Sequence, residues 1–150
     1  EQKKVYDTVL KAQLACCGFA KAGYKGCEVD KVARDIIYGA GYEGCFGHGL
    51  GHAVGIEIHE NPRYSPTCSD IIQSGMVMTI EPGIYLPGKF GVRIEDTTFV
   101  RPDGCEIVGK SPKELIDAAM RRMPKVTAQS ATWHDADEGS EENGKESLTL

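Results

Sequence analysis

Two runs rich in apolar and β-branched residues, 76–86 and 90–100, stand on either side of the short segment Pro87-Gly88-Lys89. A three-residue connection that contains glycine, placed between two such runs, is typical of a β-hairpin. The sequence therefore predicts two long antiparallel strands that turn at Gly88. Because a hairpin determines which residues face each other, this feature constrains the fold more than any other.

Ahead of the hairpin, apolar periodicity predicts two helices. Residues 1–22 carry apolar side chains at three- and four-residue steps, and Gly23 is expected to end this helix. A second helix is predicted over residues 28–38. The apolar positions of the first are Val5, Val9, Ala12, Cys16 and Phe19, widened by Leu10 and Leu14; those of the second are Val29, Val32, Ala33, Ile36 and Ile37.

The remaining segments predict shorter elements. Val54, Ile56 and Ile58 alternate with other residues, which predicts a half-buried strand, and 61–74 reads as a loop because it holds two prolines and several small polar residues. A turn at 102–104 is expected to lead into a strand over 105–108. Pro112 then begins a predicted helix over 112–123, since proline is tolerated in the first helical turn.

Helices followed by antiparallel strands predict an α+β domain over residues 1–123. Apolar periodicity is lost after Pro124, and residues 124–150 hold two basic against six acidic side chains, so we predict a disordered acidic tail there. Since the chain begins at Glu1 inside helix-like sequence, we also expect it to be a fragment with sequence upstream.

Charge and composition exclude several classes of function. The chain has 17 Lys and Arg against 22 Asp and Glu, and no basic stripe of the kind that neutralises phosphates, so nucleic acid is not expected as a partner. No apolar run is long enough to span a bilayer, and no signal peptide is visible. The six scattered cysteines form no CxxC pair, which indicates reduced thiols and a cytoplasmic location.

Three of the four histidines, His48, His52 and His59, fall within residues 47–62, GHGLGHAVGIEIHENP. A single histidine among glycines is more often a hydrogen-bonded loop residue than a ligand, but three together weaken that interpretation. The glycines disfavour the helical zinc motif HExxH, so a metal site here would need further ligands from elsewhere.

The hairpin offers such ligands in Glu81 and Glu95, which lie seven residues before and seven residues after Gly88. A regular ladder would place these carboxylates opposite each other on one face, where like charges repel. A cation between them would resolve the conflict. The alternatives are that Arg93 or a lysine pairs with one of them, or that one faces solvent. Histidine with two carboxylates suits Mn, Zn, Co or Fe better than Mg or Ca, and facing carboxylates can bridge two ions.

Residues 47–62 and 76–100, MVMTIEPGIYLPGKFGVRIEDTTFV, closely resemble the C-terminal half of the pita-bread metallopeptidases, in particular the Xaa-Pro aminopeptidases and Xaa-Pro dipeptidases. The resemblance extends over VDKVARDIIYGAGY and excludes the tail. It implies hydrolysis of the N-terminal peptide bond of peptides with proline second, with two divalent ions, manganese first and cobalt or zinc as alternatives. It also implies a small peptide as the partner and leaves a homodimer open.

The resemblance also assigns residues. By it, His52 and Glu81 are ligands of one metal ion, and Glu95 is the carboxylate that bridges both. His48 and His59 match histidines that hold the substrate and stabilise the tetrahedral intermediate, and Tyr85 and Arg93 match positions that line the site. From the chemistry of such a site, Glu81 is also expected to act as the proton shuttle.

Two alternatives remain open at this stage. Methionine aminopeptidases share the HG and TIEP segments but not the compact GVRIED, and some pita-bread proteins bind peptides or proteins without hydrolysis. The family also uses two aspartates that precede this region. Asp7, Asp30 and Asp35 lie on predicted helices and do not match them, so we expect the chain alone to bind metal weakly and to be inactive.

Overall fold

The computed structural model describes residues 1–116 of the chain. Over this part it has two helices and seven strands. The helices are α1 (Gln2–Phe19) and α2 (Gly26–Gly39), and the strands are β1 (Gly51–Ala53), β2 (Glu60–Tyr64), β3 (Val77–Ile80), β4 (Gly83–Leu86), β5 (Phe90–Arg93), β6 (Asp96–Val100) and β7 (Cys105–Ile107).

Five strands form one antiparallel sheet in the order β2-β1-β3-β6-β7, and β4 and β5 form a separate two-stranded sheet. The two helices pack on each other; α1 also contacts β3, β4, β5 and β7, and α2 contacts β2. Buried side chains from both helices and from the sheets make one hydrophobic core. The predicted α+β class is confirmed.

Both predicted helices are present, with different bounds. Helix α1 ends at Phe19 rather than near Ala22, because Ala20 is already extended and its amide closes the last turn on the carbonyl of Cys16. The buried stripe of α1 also differs, since Gln13 is fully buried whereas Leu14 is 48% exposed. Helix α2 begins two residues earlier than predicted, where the carboxylate of Glu28 accepts a hydrogen bond from the amide of Lys25 (2.7 Å).

The prediction of a strand through Val54, Ile56 and Ile58 is wrong. Strand β1 stops at Ala53, residues 55–59 form an exposed bend, and both Ile56 and Ile58 are exposed. The predicted loop over 61–74 is wrong at its start, because Glu60–Tyr64 is strand β2 and pairs with β1. An alternating pattern sets a period, but it does not show whether another strand is available to pair with.

The predicted hairpin is present but is divided between two sheets. Strands β4 and β5 pair around Gly88, which has a φ of +75°, and β3 and β6 continue the same register, as Gly83 faces Arg93 and Ile80 faces Asp96. Between the two ladders only the amide of Ile94 still donates across, to the carbonyl of Pro82 (3.4 Å). Proline has no amide hydrogen to donate, so the ladder is interrupted here.

The structure divides the chain into two units, Glu1–Leu115 and Ile116–Leu150. The turn after Arg101 is present and strand β7 follows it. The predicted helix does not begin at Pro112, because residues 112–116 are not helical, and 117–123 and the predicted tail lie outside the described residues. Within the described part, neither helix has the length and apolar character needed to cross a membrane.

Candidate active site

The predicted site residues meet where β1, the end of β3 and the start of the hairpin approach one another. A cavity of about 260 Å³ lies there. A larger groove of about 820 Å³ between the helices is lined mainly by lysines, aspartates and small residues, with no histidine or thiol. The smaller cavity is therefore the candidate active site. Its lining is His48, Gly49, Gly51, His52, His59, Arg63, Ser65, Glu81 and Arg93.

Each ring nitrogen of His52 has a polar neighbour. It lies in β1 beside a β-bulge, and its side chain is buried. Its Nδ1 lies 3.0 Å from the carbonyl oxygen of Ala53, which can only accept a hydrogen bond, so Nδ1 carries a proton. In the neutral ring Nε2 is then left with a free lone pair. That nitrogen lies 3.2 Å from Oε1 of Glu81.

Glu81 directly follows β3 and is 8% exposed. The hydroxyl of Thr79 donates to its Oε1 (3.1 Å), and Arg93 Nη1 lies 3.4 Å from its Oε2. The same hydroxyl accepts the amide hydrogen of His52 (3.0 Å), so Thr79 connects the two buried site residues. This pairing with Arg93 is one of the arrangements that the sequence left open.

The His52–Glu81 pair fits part of a metal site. An imidazole lone pair that faces a carboxylate oxygen is unfavourable without a proton or a cation near it, and a ring nitrogen with a carboxylate suits a transition metal. Within residues 1–116, however, no group of three or more His, Cys, Asp or Glu side chains could hold an ion. Glu95 is exposed and does not line the cavity. The described residues thus supply two converging donors, not a complete site.

His48, Tyr85 and Arg93 form a second network at the cavity. His48 Nδ1 lies 2.7 Å from the carbonyl oxygen of Gly49 and must donate to it, which leaves Nε2 as an acceptor. Nε2 lies 2.9 Å from the Tyr85 hydroxyl and 3.2 Å from Arg93 Nη2. Arg93 Nε donates to the same hydroxyl (2.7 Å). Arg93 therefore donates to Tyr85, and Tyr85 donates to His48.

Arg93 connects this network to Glu81. Burial lowers the pKa of its guanidinium, but the hydrogen bond to Tyr85 and the nearby negative charges of Glu81 and Glu95 more than offset that effect, so the pKa lies above its ordinary value. Arg93 is therefore a permanent cation beside an otherwise buried carboxylate.

His59 belongs to the cavity wall and is exposed. Its ring stands edge-on to that of His52, with centroids 4.5 Å apart. The structure thus brings together His48, His52, His59, Glu81, Tyr85 and Arg93 around one cavity or in direct contact with its lining. Among the predicted site residues, Glu95 is the one outside this group.

Sequence reasoning missed the residues that hold the loop of His48. Asp30 and Arg34 of α2 form a buried ion pair (2.6 Å). Arg34 also donates to the carbonyl oxygens of Phe46 (3.0 Å) and His48 (2.6 Å), and Asp30 accepts the amide hydrogen of Leu50 (3.0 Å). The spacing of four residues on α2 could have indicated the pair, but nothing local indicates which loop it would hold.

Thr79, Arg63 and Ser65 were missed as well. Thr79 lies in β3 and precedes Glu81 by two residues, a spacing that places side chains on one face of an extended segment. Arg63 lies opposite His52 in the β1–β2 ladder. Neither Arg63 nor Ser65 could be placed at the site, because the segment that holds them was predicted to be a loop without partners.

Comparison with known proteins gives consistent matches. The family model described as "Metallopeptidase family M24" matches residues 1–102. An Xaa-Pro dipeptidase of Pyrococcus horikoshii is 47% identical over 116 residues, which are 77% of this chain and 33% of that protein. Solved structures of an Xaa-Pro dipeptidase from Bacillus anthracis (48% identity, TM-score 0.76) and an X-Pro aminopeptidase from Thermotoga maritima (44%, TM-score 0.73) cover 77% and 75% of the chain.

These matches establish the fold as part of the pita-bread architecture, which the sequence predicted. The chain is much shorter than these proteins, since it covers 32% of each of those two solved structures. The chain therefore spans about a third of the length of the relatives that it matches.

Proposed function

The chain belongs to metallopeptidase family M24, and from that premise we propose that it forms part of an Xaa-Pro peptidase site, which hydrolyses the N-terminal peptide bond of peptides with proline in second position. The observation that carries the proposal is the cavity that holds the buried His52–Glu81 pair beside the His48–Tyr85–Arg93 network. A small peptide is the proposed substrate. The reduced cysteines favour the cytoplasm, and a homodimer is compatible with the proposal.

We propose that the site works with two divalent ions, manganese before cobalt or zinc. His52 and Glu81 would hold one ion, and Glu95 would bridge the two. When bound, such ions lower the pKa of a water molecule and polarise the carbonyl of the scissile bond. Asp30 is already committed to Arg34 and Leu50, and no group of three or more possible ligand side chains forms among residues 1–116, so we expect further carboxylates to come from outside the described residues. For this reason the chain alone is expected to bind metal weakly and to be inactive.

The chain's own residues would orient the substrate and move protons. Glu81 is buried within reach of His52 and Thr79, where it can accept a proton from the attacking water and pass it to the leaving nitrogen. His59 lies on the exposed wall of the cavity and would donate to the oxyanion. The ring of His48 is fixed by Gly49 and Tyr85, and can position the substrate.

Selectivity for proline would depend on shape. The amide nitrogen of a proline residue has no hydrogen, so the site cannot recognise it by a backbone hydrogen bond and must use the ring and the free amino terminus. Dipeptidases and an aminopeptidase of the Xaa-Pro type are both similar to this chain, and the length of the substrate therefore stays open between them.

The proposal is tested by expressing the longest protein that the reading frame around this chain encodes. After loading with Mn²⁺, it is assayed against Leu-Pro, Leu-Pro-Gly and the matched peptide Leu-Ala-Gly. We expect release of leucine from one or both proline peptides and none from the control, and Glu95→Gln should abolish the release. Activity retained in that variant would contradict the assignment of Glu95. Cleavage of Leu-Ala-Gly alone, or of no peptide, would contradict the proposed function.

A further inference from the structure

Outside the active site, Cys17 and Cys105 bring two thiols together from opposite parts of the chain. Cys17 lies in the last turns of α1 and Cys105 begins β7, 88 residues later. The thiol of Cys105 donates to the backbone oxygen of Cys17 (3.1 Å). Both residues are half-buried, so each is partly accessible.

The neighbouring Cys16 has a different environment, although it stands next in sequence. It is fully buried, and its sulfur faces the carbonyl oxygen of Val29 on α2 (3.9 Å). Since adjacent residues of a helix point about 100° apart, only one of the two can face β7. The structure therefore distinguishes Cys17 from Cys16.

Polar groups surround the thiol pair in what is otherwise a hydrophobic core. The Nε2 of Gln13 donates both to the sulfur of Cys17 (3.3 Å) and to the carboxylate of Asp96. Gln13 Oε1 and the hydroxyl of Tyr64 are buried without a hydrogen-bond partner among the described residues. Unsatisfied buried polar atoms are costly, which indicates that this cluster is not there for packing alone.

We propose that Cys17 and Cys105 form a thiol–disulfide exchange site, which reacts with a low-molecular-weight disulfide such as oxidised glutathione and ends as a Cys17–Cys105 disulfide. This site is separate from the peptidase site, and its existence does not depend on the proposed peptidase function.

The order of attack follows from the thiols' surroundings. The neighbouring side chain of Cys17 holds the pKa of Cys105 below its ordinary value, against the opposing effect of burial. The neighbouring side chain of Cys105, and after it burial, raises the pKa of Cys17. Because the thiolate is the nucleophile, Cys105 attacks first.

The exchange is balanced in two steps. Cys105 first loses its proton to solvent, its sulfur forms a bond to one glutathione sulfur, and the other glutathione leaves as a thiolate. Cys17 then loses its proton to that thiolate, and its sulfur attacks the Cys105 sulfur and displaces the second glutathione, which takes the remaining proton. Two protein thiols are oxidised to one disulfide, and one glutathione disulfide is reduced to two thiols.

The test uses the chain as it is. It is equilibrated with oxidised glutathione, free thiols are blocked with N-ethylmaleimide, and tryptic peptides are analysed by mass spectrometry without reduction. We expect two of the six cysteines to escape blocking, the Cys17 and Cys105 peptides to be linked, and dithiothreitol to separate them. Cys17→Ser should stop at a glutathione adduct on Cys105, and Cys105→Ser should give neither link nor adduct on Cys17.

Cys45→Ser is the matched control and should keep the link. Absence of the linked peptide from the wild-type chain, or a link that persists in Cys17→Ser through Cys16, would overturn the proposal. Circular dichroism shows whether each variant folds. If a serine variant does not fold, fragment ions from the wild-type linked peptide still assign the bond to Cys16 or Cys17.

Discussion

At the scale of single residues, the side chain of Thr79 joins two buried parts of the candidate site. It accepts from the backbone of His52 and donates to Glu81, and it is 3% exposed. Asp30 and Arg34 likewise hydrogen-bond to the backbone of the loop that contains His48: Arg34 donates to the carbonyl oxygen of His48, and Asp30 accepts from the amide of Leu50. None of these three residues lines the cavity, yet the positions of its side chains depend on them.

We predict that Thr79→Val lowers the free energy of unfolding by about 1–3 kcal/mol, because the buried amide of His52 and the carboxylate of Glu81 each lose a partner. The measurement is urea denaturation. Thr97→Val is the control, since Thr97 lies directly opposite Thr79 in the β3–β6 ladder and is half-buried. It should change stability by less than about 0.5 kcal/mol. Equal losses in the two variants would contradict the role of Thr79.

Arg34→Met should destabilise the chain by about 3–5 kcal/mol, because Asp30, only 1% exposed, would keep a buried charge without its partner. Lys31→Met removes an ion pair on the same helix whose side chains are 70% and 62% exposed, and should cost no more than about 1 kcal/mol. Chemical denaturation of both variants measures the difference. A loss for Arg34→Met no larger than that of the control would show that the pair does not hold the loop.

At the scale of elements, the close approach of β1 to β3 brings His52 to Glu81. It requires a glycine at the start of β1, because a Cβ on Gly51 would stand 1.9 Å from the carbonyl oxygen of Thr79. The division of the predicted hairpin acts together with this approach. Where β3 ends and β4 has not begun, Glu81 leaves the ladder and turns its carboxylate toward His52.

Gly51→Ala is therefore expected to push β1 away from β3 and to cost at least the roughly 1–3 kcal/mol of an overpacked core. At Gly47, four residues earlier, an added Cβ meets no atom within 4 Å, so Gly47→Ala should be tolerated. Thermal denaturation by circular dichroism compares the two variants. If Gly51→Ala were as stable as Gly47→Ala, the close contact of the strands would not be required.

At the scale of the whole molecule, the hydrophobic core contains buried side chains that ionise at alkaline pH, Cys16 and Tyr64. Burial raises the pKa of the Cys16 thiol from 9.0 to about 12, and burial also raises that of Tyr64. A buried thiol is thus kept neutral in the folded chain at a pH where the unfolded chain has already lost that proton.

A group whose pKa is raised by folding contributes its full stabilisation below its unfolded pKa and loses it as the pH rises toward the folded value. We therefore predict that the free energy of unfolding falls between pH 9.0 and about 12, by up to about 1.4 kcal/mol per pH unit from Cys16. Urea denaturation across this range measures the slope. Cys16→Ala should reduce the slope, and a slope unchanged in that variant would contradict the assignment.

Several features of this protein follow from the sequence alone. The hairpin register around Gly88 and the amphipathic helix α2 could both be predicted, because a turn fixes the pairing and a periodic pattern fixes a helix face. Six of the seven candidate site residues lie around one cavity or contact its lining, whereas Glu95 does not. Tertiary structure alone decided other features. These are the burial of Gln13 beside Asp96, the exposure of Ile56 and Ile58, the strand at 60–64, and the hydrogen bond from Arg34 to the backbone of His48. Each depends on which distant segment arrives as a neighbour, and a local pattern carries no information about that.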